Sequence, residues 1–282
     1  MTMLLRIFDV EHGACTMLGR ENGTALAMID CGHNASTGWR PSDFLRNSLH
    51  RTHLDYLLIT NADQDHLSDL ATLRQNGIVV RALMSNTSVS PAILRYIKQQ
   101  VGPVTADMQT LLAMREGFSA PGSGPPFVQV MGGINVSAFY HSYPTFADTN
   151  NLSAVYFVSY GPFKMLFPGD LERDGWREHL RNPLFVQHLR STTILVASHH
   201  GRANGFSEEA FQYMKFQAVV ISDKSIVYST QETVPDYRLI VRDDGIRVTN
   251  EQGPRHVLTT RRDHDIVFRV EAAGNYSVTV RV

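Results

Sequence analysis

The sequence predicts a layered α/β fold, and three observations carry that expectation. Short apolar segments with two-residue alternation recur in both halves of the chain. Helical segments follow them in a strand-then-helix rhythm, and donor-rich polar loops sit directly after several of the strands. At 282 residues, 43% apolar and 19% charged, the chain has the material for a real core. The same composition excludes a disordered chain, a coiled coil and a collagen-like fibre. With no repeat and no low-complexity block, residues 1–282 read as one domain.

In order, Leu4-Leu5-Arg6-Ile7-Phe8-Asp9 and Ala25 to Asp30 alternate as strands, with Gly19 to Gly23 as the turn between them. Trp39 to Leu49 reads as a helix with Pro41 near its first turn. Leu54 to Thr60 is a short buried strand, a polar loop follows, and His66 to Gly77 is a helix. A longer helical stretch from Pro91 to Gly117 breaks at Gly102-Pro103. Ser119 to Pro126 forms a loop, read as a surface excursion because a strand pattern resumes at Val128-Gln129-Val130. The second half gives strands at Ala154 to Ser159, Met165 to Phe167, Thr193 to Ala197 and Ala218 to Ile221. Helices are expected at Glu172 to Leu180 and Glu208 to Met214. From Ile240 the tail is mostly strands, turning at Asp244-Gly245 and Glu251-Gln252-Gly253.

Lys plus Arg number 26 against 27 for Asp plus Glu, a formal net charge of −1. No global basic field exists to hold nucleic acid, so any such affinity needs a local patch. No run of about 18 uncharged apolar residues is present, so no membrane segment is expected. The first residues lack the basic and apolar regions of a signal peptide. Cys15 and Cys31 cannot build a disulfide scaffold, and free thiols suit a reducing compartment, so the expected location is cytoplasmic.

Three loops concentrate possible chemistry. Thr60-Asn61-Ala62-Asp63-Gln64-Asp65-His66 follows a buried strand and offers oxygen and imidazole donors to a divalent cation. An acid-rich helix cap is the plain alternative, since carboxylates at a helix start stabilise it by about 0.3–1 kcal/mol. Phe167-Pro168-Gly169-Asp170 puts an acid on a turn between a strand and a helix, and Ser198-His199-His200-Gly201 ends another apolar strand. All three place donors at the C-terminal ends of strands, where open α/β sheets gather their sites.

The order of these pieces resembles the metallo-β-lactamase fold, and more narrowly the hydrolase domain of the ComEC/Rec2 DNA-uptake proteins. Phe8 to Gly13 is similar to that group's "DVGQGD" turn, Met28 to Gly32 to "LIDxG", and Ile59 to His66 to "SHxDxDH". Asp148 to Ser153 is similar to "NNxS", Phe167 to Asp170 to "LTGD", and Val196 to Gly201 to "HHGS". The resemblance implies a four-layered αβ/βα sandwich holding one or two divalent ions, Zn²⁺ or Mn²⁺ with Mg²⁺ also open. It implies Asp63, Asp65, His66, Asp170 and one of His199 and His200 as metal ligands, and Asp30 as their support. Three departures stand out: Asn61 replaces the usual first His, Asn150-Asn151 stand for the middle His with His141 about ten residues earlier, and Ser222 to Tyr228 lacks an Asn and a His-Pro. Asn61, Asn151 and His141 are therefore expected as weak or supporting ligands, and one metal position as weak or empty. The oxygen-rich set shifts preference from Zn²⁺ toward Mn²⁺ or Mg²⁺.

The implied activity is that of a phosphodiesterase or nuclease acting through a metal-activated water, with Asp65, Asp63 and His200 as catalytic groups. Lys224 and Arg202, and less directly Arg173 and Arg177, are candidates to hold phosphate. The implied partner is a nucleotide or nucleic-acid phosphodiester. Two alternatives remain at this level: hydrolysis of a small ester, lactone or cyclic nucleotide, and a non-catalytic binding module with a decayed metal site.

Overall fold

Alternation along β1 (Thr2–Ile7) buries Met3, Leu5 and Ile7 on one face and leaves Leu4 and Arg6 half-covered on the other. The structure is a computed structural model that describes residues 2–118, 127–212 and 214–281. After β1 come β2 (Thr16–Arg20), β3 (Leu26–Ile29), β4 (Tyr56–Leu58) and β5 (Leu83–Met84). The second half supplies β6 (Asn135–Phe139), β7 (Val155–Tyr160), β8 (Phe163–Phe167), β9 (Ile194–Val196), β10 (Ala218–Ile221) and β11 (Val257–Thr259). The chain then returns to the first sheet with β12 (Ile266–Glu271) and β13 (Tyr276–Val280). The first sheet runs β13-β12-β1-β2-β3-β4-β5, and the second runs β11-β10-β9-β8-β7-β6.

The two sheets face each other across a core that includes Met3, Leu5, Ile7, Tyr156, Val158, Met165 and Phe268. Helices cover the outer faces. On the first sheet, α1 (Gln64–Leu67), α2 (Leu70–Gln75), α3 (Pro91–Val101) and α4 (Ala106–Gly117) bury Leu67, Leu73, Leu94 and Leu111 against β4 and its neighbours. On the second, α5 (Arg173–His179), α6 (Pro183–Arg190) and α7 (Glu208–Phe211) bury Trp176, Phe185 and Phe211. The result is the four-layered αβ/βα sandwich. Strands covered on both faces, such as β2 and β7, are buried almost throughout. Among the described residues, no helix is long and apolar enough to cross a membrane.

Three local expectations change. Gly19 lies inside β2 rather than in a turn, because a Cβ there would sit 2.2 Å from the Ala25 carbonyl oxygen; close strand approach, not a bend, demands glycine. The segment Phe127–Val130 is a helical turn, not a strand, with Met131 N–H bonded to the Phe127 carbonyl at 2.8 Å. The helix expected over His66 to Gly77 divides into α1 and α2, where the Asp69 carboxylate turns aside to bind Arg40 and the Ser42 N–H. The loop run Ser119 to Pro126 lies outside the described residues.

His141, expected as a weak or supporting ligand, packs into an aromatic stack. Its ring lies 3.7 Å from that of His179, which stacks in turn on Phe185 at 4.5 Å, and its Nε2–H donates to the Gly175 carbonyl at 2.9 Å. Burial, with His141 alongside, pushes His179 down to about 3, so both rings are neutral in the fold. In the unfolded chain a histidine titrates near 6.5, so below that pH the unfolded state binds more protons than the folded one. Stability is therefore expected to fall as pH drops from about 6.5 toward 3, by at most roughly 1.4 kcal/mol per pH unit from His179. Thermal unfolding of His179→Phe should show a shallower loss between pH 6.5 and 4 than the parent chain. Parallel curves would assign the acid sensitivity to other groups.

Candidate metal centre

Parallel pairing lines up strand ends so that their following loops converge. Strands β3 and β4 pair parallel through Ile29 and Leu58, and β8, β9 and β10 pair parallel through Met165, Ile194 and Ala218. Asp30 follows β3, Thr60 to His66 follow β4, Asp170 follows β8, His199 and His200 follow β9, and Ser222 follows β10. Asp30, His199 and His200 hold left-handed backbone at φ 58°, 50° and 52°. Each such non-glycine residue costs on the order of 1 kcal/mol, which the surrounding packing must offset. Gly13 and Gly32 press against the Asp65 carbonyl, where a Cβ would come within 2.7 and 2.5 Å, so backbone packing fixes the loop that carries the acids.

His66 is fully buried between two carboxylates. Its Nδ1 lies 2.9 Å from Asp30 Oδ2 and its Nε2 3.0 Å from Asp170 Oδ1. Asp30 is held in turn by the Thr60 N–H at 2.7 Å and the Thr60 hydroxyl at 2.5 Å. His200 donates through Nδ1–H to the Ser222 carbonyl at 3.1 Å, which points Nε2 at Asp65 Oδ2, 3.2 Å away, and Asp170 Oδ1, 3.5 Å away. That Nε2 is buried and makes no aligned hydrogen bond. Donor atoms of Asp65, His66, Asp170 and His200 all lie within 4.8 Å of one another.

The electrostatics set two buried acids against two imidazoles. Burial alone would raise the Asp170 carboxyl, yet His66 and His200 outweigh it and hold it at about 2. Burial is likewise outweighed at Asp65 by the His200 contact and by the neighbouring imidazoles, which keep its carboxyl far below the usual range. Burial opposes charge on His66 and His200, but Asp170, together with Asp30 or Asp65, lifts both above the ordinary imidazole value. With His200 Nδ1–H committed to Ser222, a cation would displace the proton at Nε2. Two imidazole nitrogens, two carboxylate oxygens, an orphaned buried Nε2 and far-side partners on both rings together fit a divalent transition-metal ion.

The other expected residues stand apart from this group. Asp63 is 2.5 Å from Lys98 Nζ and accepts from the Thr149 hydroxyl at 2.8 Å, so a side-chain cation already occupies it. Asn61 accepts the Asp63 N–H at 2.9 Å, with its amide nitrogen 3.3 Å from Ser153 Oγ. Asn151 accepts the N–H groups of Glu172 and Gly175 at 3.2 and 3.1 Å, capping the start of α5. His199 turns away from the cluster, its unbonded Nδ1 3.6 Å from Glu172 Oε1. Lys224 is exposed, Arg173 ties the Ala203 and Phe206 carbonyls together, and Arg177 pairs with Asp174 and Glu209.

His12 was not singled out by sequence, although it lies in the Asp9-Val10-Glu11-His12-Gly13 turn. Its ring is 4.4 Å from that of His200, and Arg202 Nη2 donates to its Nε2 at 2.9 Å. Because arginine only donates, the His12 proton must sit on Nδ1, a buried atom with no partner. Burial, then the neighbouring His200 and Arg202, hold His12 down at about 4, so the ring is neutral. Among the described residues, Arg202 has no carboxylate within ion-pair distance.

Residues 9–199 match the model of the Metallo-beta-lactamase superfamily. ComE operon protein 3 of Bacillus subtilis (strain 168) is 26% identical over 170 residues, which cover 60% of this chain and 20% of that protein. The match thus spans a fifth of the relative's length. Among solved structures, the metallo-beta-lactamase fold protein YhfI from Bacillus subtilis superposes with a TM-score of 0.50 at 10% identity, covering 95% of this chain and 99% of that one. A mutant of the CmlA beta-hydroxylase gives a TM-score of 0.50 at 14% identity, covering 95% and 54%. At these identities the similarity concerns the fold.

Asp30→Ala is expected to weaken Zn²⁺ or Mn²⁺ binding by roughly 10- to 100-fold, because it frees the imidazole of His66. Asp63→Ala should leave that affinity within about twofold. Calorimetric titration of the metal-stripped chain measures both, and an equal loss in the two variants would bring Asp63 into the ligand set.

Proposed function

Because the chain belongs to the metallo-beta-lactamase superfamily, we propose that it is a metal-dependent hydrolase whose substrate is a phosphodiester, in a nucleotide or in nucleic acid. The observation that carries this reading is the convergence of Asp65, His66, Asp170 and His200, with the unpaired Arg202 guanidinium held close by through His12. One ion is the occupancy the side chains favour, since Asn61, Asp63 and Asn151 are committed to other partners. Bound there, a divalent cation supplies Lewis acidity and lowers the pKa of water toward roughly 7.

The residues divide the remaining work. Asp65, 29% exposed at its side chain, faces solvent, whereas Asp170 is closed off at 4%. Arg202 offers a planar guanidinium to phosphate oxygens and keeps the neutral His12 as an N–H donor at Nδ1. His199, kept neutral by burial, stands outside the cluster beside Glu172 and is left without a role in the reaction. Glu172 is itself steadied by Asn150 at 2.8 Å and Asn204 at 2.7 Å.

The test is hydrolysis of bis(p-nitrophenyl) phosphate by metal-stripped protein to which Mn²⁺, Zn²⁺ or Mg²⁺ is returned. Asp170→Asn should lower turnover by roughly 10²- to 10³-fold, the scale seen when one electrostatic contact is removed from a reacting centre. Arg202→Ala should lower kcat/KM for the phosphodiester about tenfold and leave p-nitrophenyl acetate hydrolysis unchanged. Turnover of esters alone would move the substrate to a carboxylic ester or lactone, and no turnover with any ion would overturn the hydrolase reading. Metal analysis should give one ion per chain, and two would contradict the assignment of Asp63 to Lys98.

A further inference from the structure

A second concavity lies on the outer side of β1 and β2, the side turned away from the core between the sheets. It is a cleft of about 340 Å³ lined by Leu4, Met17, Phe44 and Leu49 together with Arg6 and Arg51, and none of these belongs to the metal cluster. Its size lies at the lower end for small-molecule sites, and its walls are mainly apolar. Leu49 at its edge is 40% exposed, an uncovered hydrophobe.

Arg6 makes this more than an apolar groove. Its guanidinium lies 5.6 Å from the ring centres of both Phe8 and Phe44, which hold it in place. Among the described residues it has no hydrogen bond and no ion pair, and its Nε is buried without a partner. The other charges nearby each have a partner, although Arg51 Nε and Nη2 are also buried without a hydrogen bond. Arg51 donates to the Gly23 carbonyl at 3.0 Å and lies 3.5 Å from Asp55, Glu21 is taken by Arg269, and Asp265 lies 3.7 Å from Arg281. Burial, then the charges of Arg281 and Arg269 against the single opposing Asp265, disfavour the protonated form of Arg6. An anion brought to this guanidinium would meet a buried, unpartnered Nε–H and terminal nitrogens that no described protein group engages, beside an apolar wall where charge-assisted bonds are strong.

We propose that this cleft binds a small amphiphile with one anionic headgroup, the oxyanion on Arg6 and the apolar body along Leu4, Met17 and Leu49. The same chemistry could be offered by a free medium-chain acid or by a lipid in a membrane, and the size of the cleft favours the free acid. The test titrates the full chain calorimetrically with octanoate and with 1-octanol, and sediments it with phosphatidylglycerol vesicles. Octanoate should bind one per chain, at least tenfold more tightly than 1-octanol. Arg6→Gln should weaken octanoate at least tenfold, Arg6→Lys should recover part of the loss, and both should keep the phosphodiesterase rate of the parent chain. Equal binding of acid and alcohol, octanoate binding unchanged in Arg6→Gln, or no saturable octanoate binding would each overturn the proposal. Arg6-dependent sedimentation with vesicles in the absence of octanoate binding would also overturn it and assign the cleft to a lipid surface. If Arg6→Gln does not fold, by circular dichroism, the acid-to-alcohol ratio in the parent and Arg6→Lys chains decides.

Discussion

His66 lies between carboxylates from opposite halves of the chain, Asp30 after β3 and Asp170 after β8, at 2.9 and 3.0 Å. That line of three buried groups ties the first sheet to the second at the mouth of the sandwich. Burying ionised groups costs several kcal/mol each, so the arrangement survives only if positive charge balances the acids. An imidazolium can supply it, and so can a cation bound by Asp65, Asp170, His66 and His200. The left-handed backbone at Asp30, His199 and His200 is tolerable for the same reason: hydrogen bonds and packing on every side over-determine where those residues sit.

The site is unequal on its two sides. On one, two histidines have their far nitrogens fixed by oxygen acceptors and their near nitrogens aimed at two acids. On the other, an amide network replaces open donors: Asn61 reaches Asn150, Asn150 bonds Glu172, and Glu172 also accepts from Asn204. Lys98 brings a covalently attached charge to Asp63, satisfying a carboxylate that would otherwise attract a free ion. An ammonium on a helix cannot polarise water as a divalent ion does, so the two sides differ in the chemistry they can support.

Fold and reaction depend on different features of the chain. Two sheets with helices outside place loops at aligned strand ends, and that geometry serves many chemistries. The structural similarities extend to a protein described as a hydroxylase, so the sandwich alone does not select hydrolysis. The reading rests on the donors, on the neutral His12 held by Arg202, and on the absence of a carboxylate partner for that arginine among the described residues. Electrostatics of this kind act locally, which is how a nearly neutral chain can still present an unbalanced guanidinium to an anion.

Much of the fold was legible from sequence because its signals are local. Period-two alternation marked β1 and β3, the Gly102-Pro103 break separated α3 from α4, and Asp65, His66, Asp170 and His200 all fell in the segments that follow apolar strands. What sequence left open depended on partners distant along the chain. His200, not His199, is aimed at Asp65 and Asp170 by the Ser222 carbonyl behind its ring, and Asp63 is paired with Lys98, thirty-five residues away. Asn151 became a helix cap and His141 a stacked core residue because α5 and α6 pack where they do. The sequence by itself determined the layered architecture and an ordered set of donors at strand ends. Only the tertiary structure decided which donors meet, because a ligand set is defined by distances across two sheets, and no local pattern encodes them.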